Sequence, residues 1–393
     1  MANNSLILYY HRLNSYSFNA LAGAIDADPA LSDLPVDIAL TEEEFRTLIA
    51  VNLNRHPRVT AALSIMTCQF TGMQRLLREL RSDYGSRIIL VAGGPHVTAR
   101  AEDVLNAGAD IAVRGEAEET FPEILRKIEN GQAVSGIHSP EKIVDLDAFV
   151  SFSPRREMFG PIEITRGCAF ACNYCQTSRI FGVGLRHRSI GNIVRQTEAL
   201  RSINRKVVRL LSPNAFSYGS PDGRELNLKA IRELLAALRG TVTAAGKILF
   251  AHFPSEARPE HITPDTLGLL KEFADNDEIV IGAQSGSQRM LDLCHRSHSV
   301  DSILTAVSLA RNFGYKVIVD FIFGLPGENE KDQKESVSVM EQVLRMGARI
   351  HPHLFAPLPQ TPFSNERPGN VSPVYENALE NFRAQRGIYE TRG

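Results

Sequence analysis

Short apolar runs alternate with amphipathic helical patterns along almost the whole chain, and this alternation constrains its fold most strongly. The strand-like runs of the first third are rich in Val, Ile and Leu and are almost free of polar residues, as in a parallel sheet covered on both faces. Five strand–helix units predict a doubly wound α/β sheet, flavodoxin-like or Rossmann-like, with a ligand crevice beyond the carboxyl ends of its strands. The runs are SLILYY (5–10), VDIAL (36–40), VTAALSIM (59–66), RIILVAGG (87–94) and DIAVRGE (110–116).

The alternation resumes at FGPIEITRG (159–167), after a polar, proline-bearing stretch. Six further units are too few for a closed eight-stranded barrel but fit a partial, open-sided TIM-type (βα)6 barrel. The later strands are predicted at 207–213, 247–253, 278–285, 316–324 and 348–359. We therefore expect a first domain over 1–135, a linker over 136–158, the partial barrel over 159–360 and a helical extension over 361–393.

Composition excludes several classes of protein. The net charge of -2, without a basic block, argues against a nucleic-acid partner. No apolar run has membrane-spanning length, and the N-terminal apolar run is too short for a signal peptide. Five cysteines, three of them bunched, do not suit a secreted disulfide framework. We expect a cytoplasmic protein that does not act on a membrane.

Three of the five cysteines lie in ITRGCAFACNYCQ (164–176), spaced C-x3-C-x2-C. A closed zinc site takes four ligands, and the other thiols, Cys68 and Cys294, are far away in the sequence. Iron–sulfur clusters are held by Cys thiolates, usually four for a cubane. Cys168, Cys172 and Cys175 would therefore hold three irons of a [4Fe–4S] cluster and leave the fourth iron open. A zinc site, or chance clustering of buried thiols, is the alternative.

The cysteine loop, with the aromatic Tyr174 before its third cysteine, resembles the motif of radical S-adenosylmethionine (SAM) enzymes. The resemblance implies that the open iron binds the amino and carboxylate groups of SAM. SAM is then cleaved reductively to methionine and a 5′-deoxyadenosyl radical. Tyr174 is implied to lie beside the adenine.

Three later segments, 210–219, 282–291 and 319–329, resemble the family's stretches that approach the methionine, ribose and adenine of SAM. In the second of them, Gln284 stands where the family usually has Glu. Arg296 is expected to pair with the SAM carboxylate, to which a guanidinium is well matched. The other SAM-binding residues that the resemblance implies are Ser212, Asn214, Gln284, Ser285, Gly286, Ser287, Phe323 and Gly324.

Residues 91–125 resemble the cobalamin-binding domain that precedes the barrel in one large radical SAM subfamily. The GG pair in this segment would let a bulky ligand approach the backbone closely. The segment LSIMTCQF (63–70), after the third strand, offers polar side chains to the same crevice. The expected cobalamin-binding residues are Tyr10, His11, Ser64, Thr67, Cys68, Gln69, Gly93, Gly94, His96, Val97, Gly115 and Glu116.

Many cobalamin domains carry D-x-H-x-x-G after the first strand, and its His ligates cobalt from below. Here YYHRLN (9–14) places His11 at the His position, with Tyr9 and Asn14 in place of Asp and Gly. Relatives in the subfamily often lack the motif and bind cobalamin without that ligand. Two alternatives stay open: His11 ligates cobalt without the Asp that would orient its ring, or the lower face has no protein ligand.

The resemblance implies a cobalamin-dependent radical SAM enzyme similar to the class B methyltransferases. The adenosyl radical would abstract hydrogen from an unactivated carbon of a small-molecule substrate, and that carbon would take a methyl group from methylcobalamin. A flavodoxin or ferredoxin is the expected electron donor. His351, His353 and Gln360 are candidates for contact with substrate or cofactors; the alternative is an edge strand with solvent-facing histidines.

Three rival functions differ in what they require of the sequence. The same domains could catalyse ring closure, ring contraction or rearrangement, with cobalamin as a redox partner. A methylthiotransferase would carry three more cysteines in its N-terminal domain, where this chain has only Cys68. A non-catalytic cobalamin sensor would not need the three SAM-contacting segments.

Overall fold

The computed structural model describes residues 4–243 and 245–390, and these divide into two compact units after Pro161. The first unit contains a six-stranded sheet, all of whose strand pairs are parallel, in the order β2-β1-β3-β4-β5-β6. This order confirms the predicted flavodoxin-like fold. The strands are β1 (Asn4–Tyr9), β2 (Val36–Ala39), β3 (Arg58–Ser64), β4 (Ile88–Gly93), β5 (Ile111–Val113) and β6 (Gly136–His138).

Helices cover both faces of this sheet. Because successive strand residues point to opposite faces, Ile7 belongs to one apolar cluster, while Leu6 and Leu8 belong to another. The cluster around Ile7 packs against α2 to α5, and the other packs against α1 and α6. The helices are α1 (Ser15–Asp26), α2 (Glu42–Leu53), α3 (Phe70–Tyr84), α4 (Pro95–Ala99), α5 (Ala101–Leu105) and α6 (Thr120–Glu129).

Residues 136–158, predicted to be a linker, are instead part of the first unit. Their first three residues form β6, which pairs with β5 at the sheet edge. Further along, Leu146 and Phe152 are buried, and the Val144 N–H donates to Glu116 Oε2 at 3.0 Å. The strand β6 has a single large apolar side chain, Ile137, so it lacks the apolar run by which the other strands are recognised in the sequence.

The second unit contains six parallel barrel strands in two ladders, β11-β10-β7 and β12-β13-β14. A parallel bridge from Ala257 to Ile281 joins the two ladders, so the predicted six-unit strand order is present. The strands are β7 (Ile162–Glu163), β10 (Val207–Leu211), β11 (Lys247–Leu249), β12 (Glu278–Gln284), β13 (Lys316–Phe323) and β14 (Arg349–Leu354). A short antiparallel pair, β8 (Thr165–Arg166) and β9 (Arg186–His187), flanks the cysteine loop.

The helices between these strands follow the predicted order. They are α7 (Thr177–Phe181), α8 (Ile190–Ser202), α9 (Leu228–Thr241), α10 (Pro264–Phe273), α11 (Gln288–Leu293), α12 (Val300–Asn312), α13 (Glu330–Arg345) and α14 (Pro373–Ala384). The last is the predicted C-terminal helix, and its Tyr375 packs against Phe323 with ring centroids 4.4 Å apart. Among the described residues, no helix combines the length and apolarity needed to cross a bilayer.

Candidate active site

The cysteine loop begins directly after β8 and is held in a tight bend. Gly167 has a φ of +92°, and a Cβ there would lie 2.3 Å from the Gly184 carbonyl oxygen, so only glycine fits. The Cys168 N–H donates to the Gly182 carbonyl at 3.1 Å, and the Cys175 N–H donates to the Cys172 carbonyl at 3.0 Å. These backbone contacts fix the loop before any metal is bound.

A cavity of about 360 Å³ lies against this loop, and Cys168, Cys172 and Cys175 all line it. The chain therefore brings the three predicted cluster thiols to one surface. Several predicted SAM-binding residues line the same cavity, from the loop itself and from segments that follow β10 and β12. They are Tyr174, Ser212, Asn214, Gln284 and Arg296.

Two guanidinium groups on the cavity wall suit an anionic ligand group. Burial raises the pKa of Cys168, and the opposing effect of Arg258 and Arg296 is smaller. The Arg296 guanidinium lies with Nη1 3.6 Å from Cys172 Sγ. Arg296 Nε and Ser178 Oγ are buried without a hydrogen-bond partner among the described residues. Three thiols beside unsatisfied donors fit a [4Fe–4S] cluster whose open iron carries the carboxylate of SAM.

Sequence reasoning missed Glu256, which lines the cavity from the segment after β11. Burial and the nearby Asp320 carboxylate raise the pKa of Glu256 to about 7. Gln284 Nε2 donates to Glu256 Oε2 at 3.2 Å, so a carboxylate lies beside the residue that replaces the family's Glu. The only sequence signal for Glu256 is its position after a barrel strand, at the end where active sites form.

Arg258, also missed, lies over the Phe170 ring at 3.5 Å from the guanidinium carbon to the centroid. The Arg258 N–H donates to Asn214 Oδ1 at 3.2 Å, which ties the segment after β10 to the one after β11. Arg258 places a second fixed positive charge on the cavity wall.

The remaining predicted SAM-binding residues do not line this cavity. Ser287 Oγ donates to Asp332 Oδ1 at 2.8 Å, and the Gly286 N–H donates to Ser336 Oγ at 3.0 Å. Ser285 Oγ lies 3.3 Å from the same Ser336 oxygen. These contacts join the start of α11 to α13. Residues 285–287 of the G-x-Q-S-G-S stretch thus pack against α13. Contact of this stretch with SAM stays a prediction.

Phe323 and Gly324 likewise pack against the C-terminal part of the unit. Phe323 contacts Tyr375, and a Cβ at Gly324 would lie 2.7 Å from Gly369 Cα and Asn370 N. The close approach of residues 369–370 explains why glycine follows β13. The predicted contact of both residues with adenine rests on the family resemblance alone.

The Ser287–Asp332 contact predicts a pH-dependent stability. Burial would raise the pKa of Asp332, but hydrogen bonds from Arg289, the Asn329 N–H and Ser287 lower it to about 2. This stabilisation is complete above the ordinary carboxyl pKa of about 3.9 and is lost as the pH falls towards 2. We expect Asp332→Asn to lower the free energy of unfolding by about 2–3 kcal/mol at pH 7. Urea denaturation should show this difference shrinking as the pH falls from about 4 to 2.

Glu330→Gln is the matched control on the same helix. Its partner Lys334 and Glu330 itself are both about two-thirds exposed, so we expect little change in the free energy of unfolding. An Asp332→Asn effect no larger than the control, or unchanged between pH 4 and 2, would contradict the assignment.

The predicted cobalamin-binding residues lie at or after the carboxyl ends of β1, β3, β4 and β5, in the first unit. Gly94 has a φ of +98°, and a Cβ there would lie 2.6 Å from the Ile65 N atom and 2.9 Å from Ser64 Oγ. The Gly115 N–H donates to Thr98 Oγ1 at 3.0 Å. The turn after β4 therefore requires glycine at position 94, whether or not a ligand binds. Cys68 is exposed at this edge, and Thr67 is partly exposed there.

Both ring nitrogens of His11 have partners. The Leu13 N–H donates to Nδ1 at 3.2 Å, and Nε2 lies 2.6 Å from Gln69 Nε2. Burial lowers the pKa of His11, so the imidazole is neutral and chemically able to ligate a metal. Ligation of cobalt would require displacement of either the Leu13 N–H or the Gln69 amide, and it stays a prediction.

Other residues on the cobalamin list serve packing at this edge. His96 is buried and stacks on Phe70 with centroids 4.0 Å apart, and Val97 is fully buried in the core. Glu116 accepts from the Val144 N–H, and the Tyr10 hydroxyl donates to Asn19 Oδ1 at 3.1 Å. Contact of these side chains with cobalamin stays a prediction.

His351 and His353 lie on β14, the outer strand of its ladder, while Gln360 is exposed beyond the strand. The solvent-facing alternative is wrong for His351, which is buried and hydrogen-bonded to Asp320 Oδ1 at 2.8 Å. His353 is partly exposed and lies 3.5 Å from the same oxygen.

Comparison with known proteins covers both units. Residues 17–125 match the B12 binding domain, and residues 162–340 match the radical SAM superfamily. An uncharacterized protein of Methanopyrus kandleri is 25% identical over 79% of this chain and 68% of its own length. The tRNA-2-methylthio-N(6)-dimethylallyladenosine synthase of Zymomonas mobilis is 26% identical over 68% of this chain and 58% of its own.

A solved structure has the same fold over nearly the whole chain. It is the radical S-adenosylmethionine methyltransferase TsrM from Kitasatospora setae, with cobalamin and a [4Fe–4S] cluster bound. The TM-score is 0.69 at 15% identity, over 93% of this chain and 74% of that one.

Proposed function

Because the chain belongs to the proteins that join a B12-binding domain to a radical SAM domain, we propose that it is a cobalamin-dependent radical SAM methyltransferase. Its substrate is a small molecule that is methylated at an unactivated carbon. One observation carries the proposal: the three thiols of the C-x3-C-x2-C loop line one cavity, in a chain that also has a B12-binding domain. When bound, the cluster and SAM supply a 5′-deoxyadenosyl radical, and methylcobalamin supplies the methyl group.

The chain's own residues bind and orient these groups. Cys168, Cys172 and Cys175 ligate the cluster, and Arg296 offsets the thiolate charge beside Cys172 while its unpaired Nε remains for the SAM carboxylate. Tyr174 lines the cavity and also packs against the apolar cluster of Met290, Cys294, Leu325, Phe355 and Phe363. That packing fixes its ring for contact with adenine. A positioned SAM directs the radical to one carbon.

The first unit would hold cobalamin at the carboxyl edge of its sheet, as open α/β sheets hold their ligands. We place the approach of the corrin ring at the backbone of Gly93. A Cβ at this position would make only ordinary contacts, so the fold itself does not require glycine there. Gln69 and Thr67 offer polar atoms at the same edge. A flavodoxin or ferredoxin would supply electrons.

The fold is shared both with a structure named as a methyltransferase and with the cobalamin-dependent S-adenosylmethionine radical enzyme OxsB, so the products of SAM must decide between methyl transfer and cyclisation or rearrangement. Methylthiotransfer, the activity in the name of the Zymomonas mobilis relative, is disfavoured because the first unit has Cys68 as its single cysteine. A non-catalytic sensor is disfavoured because the SAM-facing side chains Asn214 and Arg296 both line the cysteine cavity.

The products of SAM distinguish these functions. Full-length protein, reconstituted anaerobically with iron, sulfide and hydroxocobalamin, is reduced and given SAM labelled with a CD3 methyl group. A methyltransferase should produce S-adenosylhomocysteine and CD3-methylcobalamin, which mass spectrometry detects before any substrate is known. The same mixture without protein is the control. Formation of 5′-deoxyadenosine without methyl transfer to cobalamin would favour the rearrangement class. If SAM gives no product, a non-catalytic cobalamin sensor would be the remaining function.

A further inference from the structure

A second group of metal-ligating side chains lies in the barrel unit, apart from the cysteines. The β13–β14 register pairs Asp320 with His351, and His353 lies two residues further along the same strand. Residues two apart in a strand point to the same face, so both imidazoles lie on the Asp320 side. His351 Nδ1 is 2.8 Å and His353 Nε2 is 3.5 Å from Asp320 Oδ1.

The ligand atoms are close to the separations found around a bound metal ion. Bonds from Zn²⁺ to imidazole nitrogen and carboxylate oxygen are about 2.0–2.2 Å, which separates neighbouring ligand atoms by about 3–3.5 Å. The 3.5 Å between His353 Nε2 and Asp320 Oδ1 meets this separation, while the 2.8 Å of the His351 contact is a hydrogen-bond distance. One ligand atom from each of Asp320, His351 and His353 lies within 4.8 Å of the others.

The charges of the surroundings favour a cation. Asp320 is 3% exposed, and among the described residues its ion-pair partners are the two imidazoles, with no Lys or Arg. The Glu256 carboxyl lies close enough to Asp320 to interact with it electrostatically and brings a second acidic group to the cluster. A buried carboxylate without a cationic side chain is costly, and a metal ion is one way to compensate it.

We propose that Asp320, His351 and His353 bind a divalent transition-metal ion beside the Glu256 carboxyl group. Two imidazoles and one carboxylate are a donor set suited to Zn²⁺, Fe²⁺ or Co²⁺ and leave coordination positions open. Glu256 also lines the cysteine cavity, so the ion is one side chain from the predicted SAM site. An oxygen or nitrogen of the substrate can take an open position there.

The test measures Zn²⁺ and Co²⁺ binding to full-length protein with its cluster reconstituted, after loosely bound metal is removed with a chelator. We expect one Zn²⁺ per chain by mass spectrometry, and one high-spin Co²⁺ by electron paramagnetic resonance (EPR), a signal distinct from that of the cluster. His351→Ala and Asp320→Asn each remove a direct ligand and should weaken binding by more than the roughly 100-fold that changes to outer-shell residues can cause. Cluster iron should stay unchanged, which separates this site from the proposed function.

His252→Ala is the matched control, because His252 belongs to the same unit and, among the described residues, its ring hydrogen-bonds to the neighbouring Phe253 carbonyl alone. It should bind both metals as the unchanged protein does. His353→Gln, at a partly exposed position, guards against misfolding of the buried variants and should also weaken binding. Failure of the unchanged protein to retain either metal would overturn the proposal and leave a hydrogen-bonded Asp–His pair. Equal binding by the unchanged protein and all three ligand variants would overturn it as well.

Discussion

Cys172→Ala is expected to eliminate the iron–sulfur cluster and, with it, every product of reductive SAM cleavage. Cys172 is 5% exposed at the cavity, and its sulfur contacts the Arg296 guanidinium, so the substitution removes one of the three thiols of the loop. Two remaining thiolates cannot hold a cubane. Iron per chain should fall from about four to background after anaerobic reconstitution, and 5′-deoxyadenosine should become undetectable by mass spectrometry.

Cys294→Ala is the matched control for this loss. Cys294 is also buried, but it packs among Met290, Leu325, Phe355 and Phe363, and burial raises its pKa to about 12. It therefore acts as a small apolar side chain. The variant should keep its iron and lose about 1 kcal/mol of stability. Equal loss of iron from Cys294→Ala and Cys172→Ala would contradict the assignment of three ligands to one loop.

Gly94→Ala is expected to destabilise the first unit by about 3 kcal/mol or more. The residue has φ +98° and ψ -179°, a region that is essentially restricted to glycine and costs other residues about 1–3 kcal/mol. The added Cβ would also lie 2.6 Å from the Ile65 N atom, and backbone cannot move aside as a side chain can. Thermal unfolding should begin about 6 °C or more lower, and hydroxocobalamin should no longer be retained on gel filtration.

Gly93→Ala tests the binding of cobalamin without changing the residue that the turn requires. Gly93 has no positive φ, and a Cβ there would lie 3.6 Å from the Val113 carbonyl oxygen, an ordinary contact. The unfolding temperature should change little, while the affinity for hydroxocobalamin falls because the corrin can no longer approach the backbone. Unchanged cobalamin binding by Gly93→Ala would place the corrin elsewhere along the edge. Unchanged stability of Gly94→Ala would contradict the account of the turn.

The fold was largely predictable because most of its strands lie in apolar runs. Each of the first five strands of the first unit lies within a Val, Ile or Leu-rich run, whereas β6, with only Gly136, Ile137 and His138, has none. Its place in the sheet depends on pairing with β5, a contact between segments that a single sequence does not encode locally.

The cysteine site was predictable because its three ligands lie on one loop, where spacing alone brings them together. Glu256 and Arg258 were missed because they reach the cavity only when the segment after β11 closes beside the loop. Conversely, Ser285 and Ser287 carry a motif that resembles SAM-binding stretches, yet their hydroxyls bond to α13. The pairing of His351 with Asp320 required the β13–β14 register, which the strand patterns did not reveal.

The central claim is that the cysteine loop holds a [4Fe–4S] cluster with an open iron that binds SAM. The most direct measurement is the EPR spectrum of the anaerobically reconstituted, reduced protein before and after SAM is added. We predict a [4Fe–4S]⁺ signal, from about four irons per chain, whose g-values shift when SAM ligates the open iron. A spectrum that SAM leaves unchanged, or zinc in place of iron after strictly anaerobic reconstitution, would contradict the account.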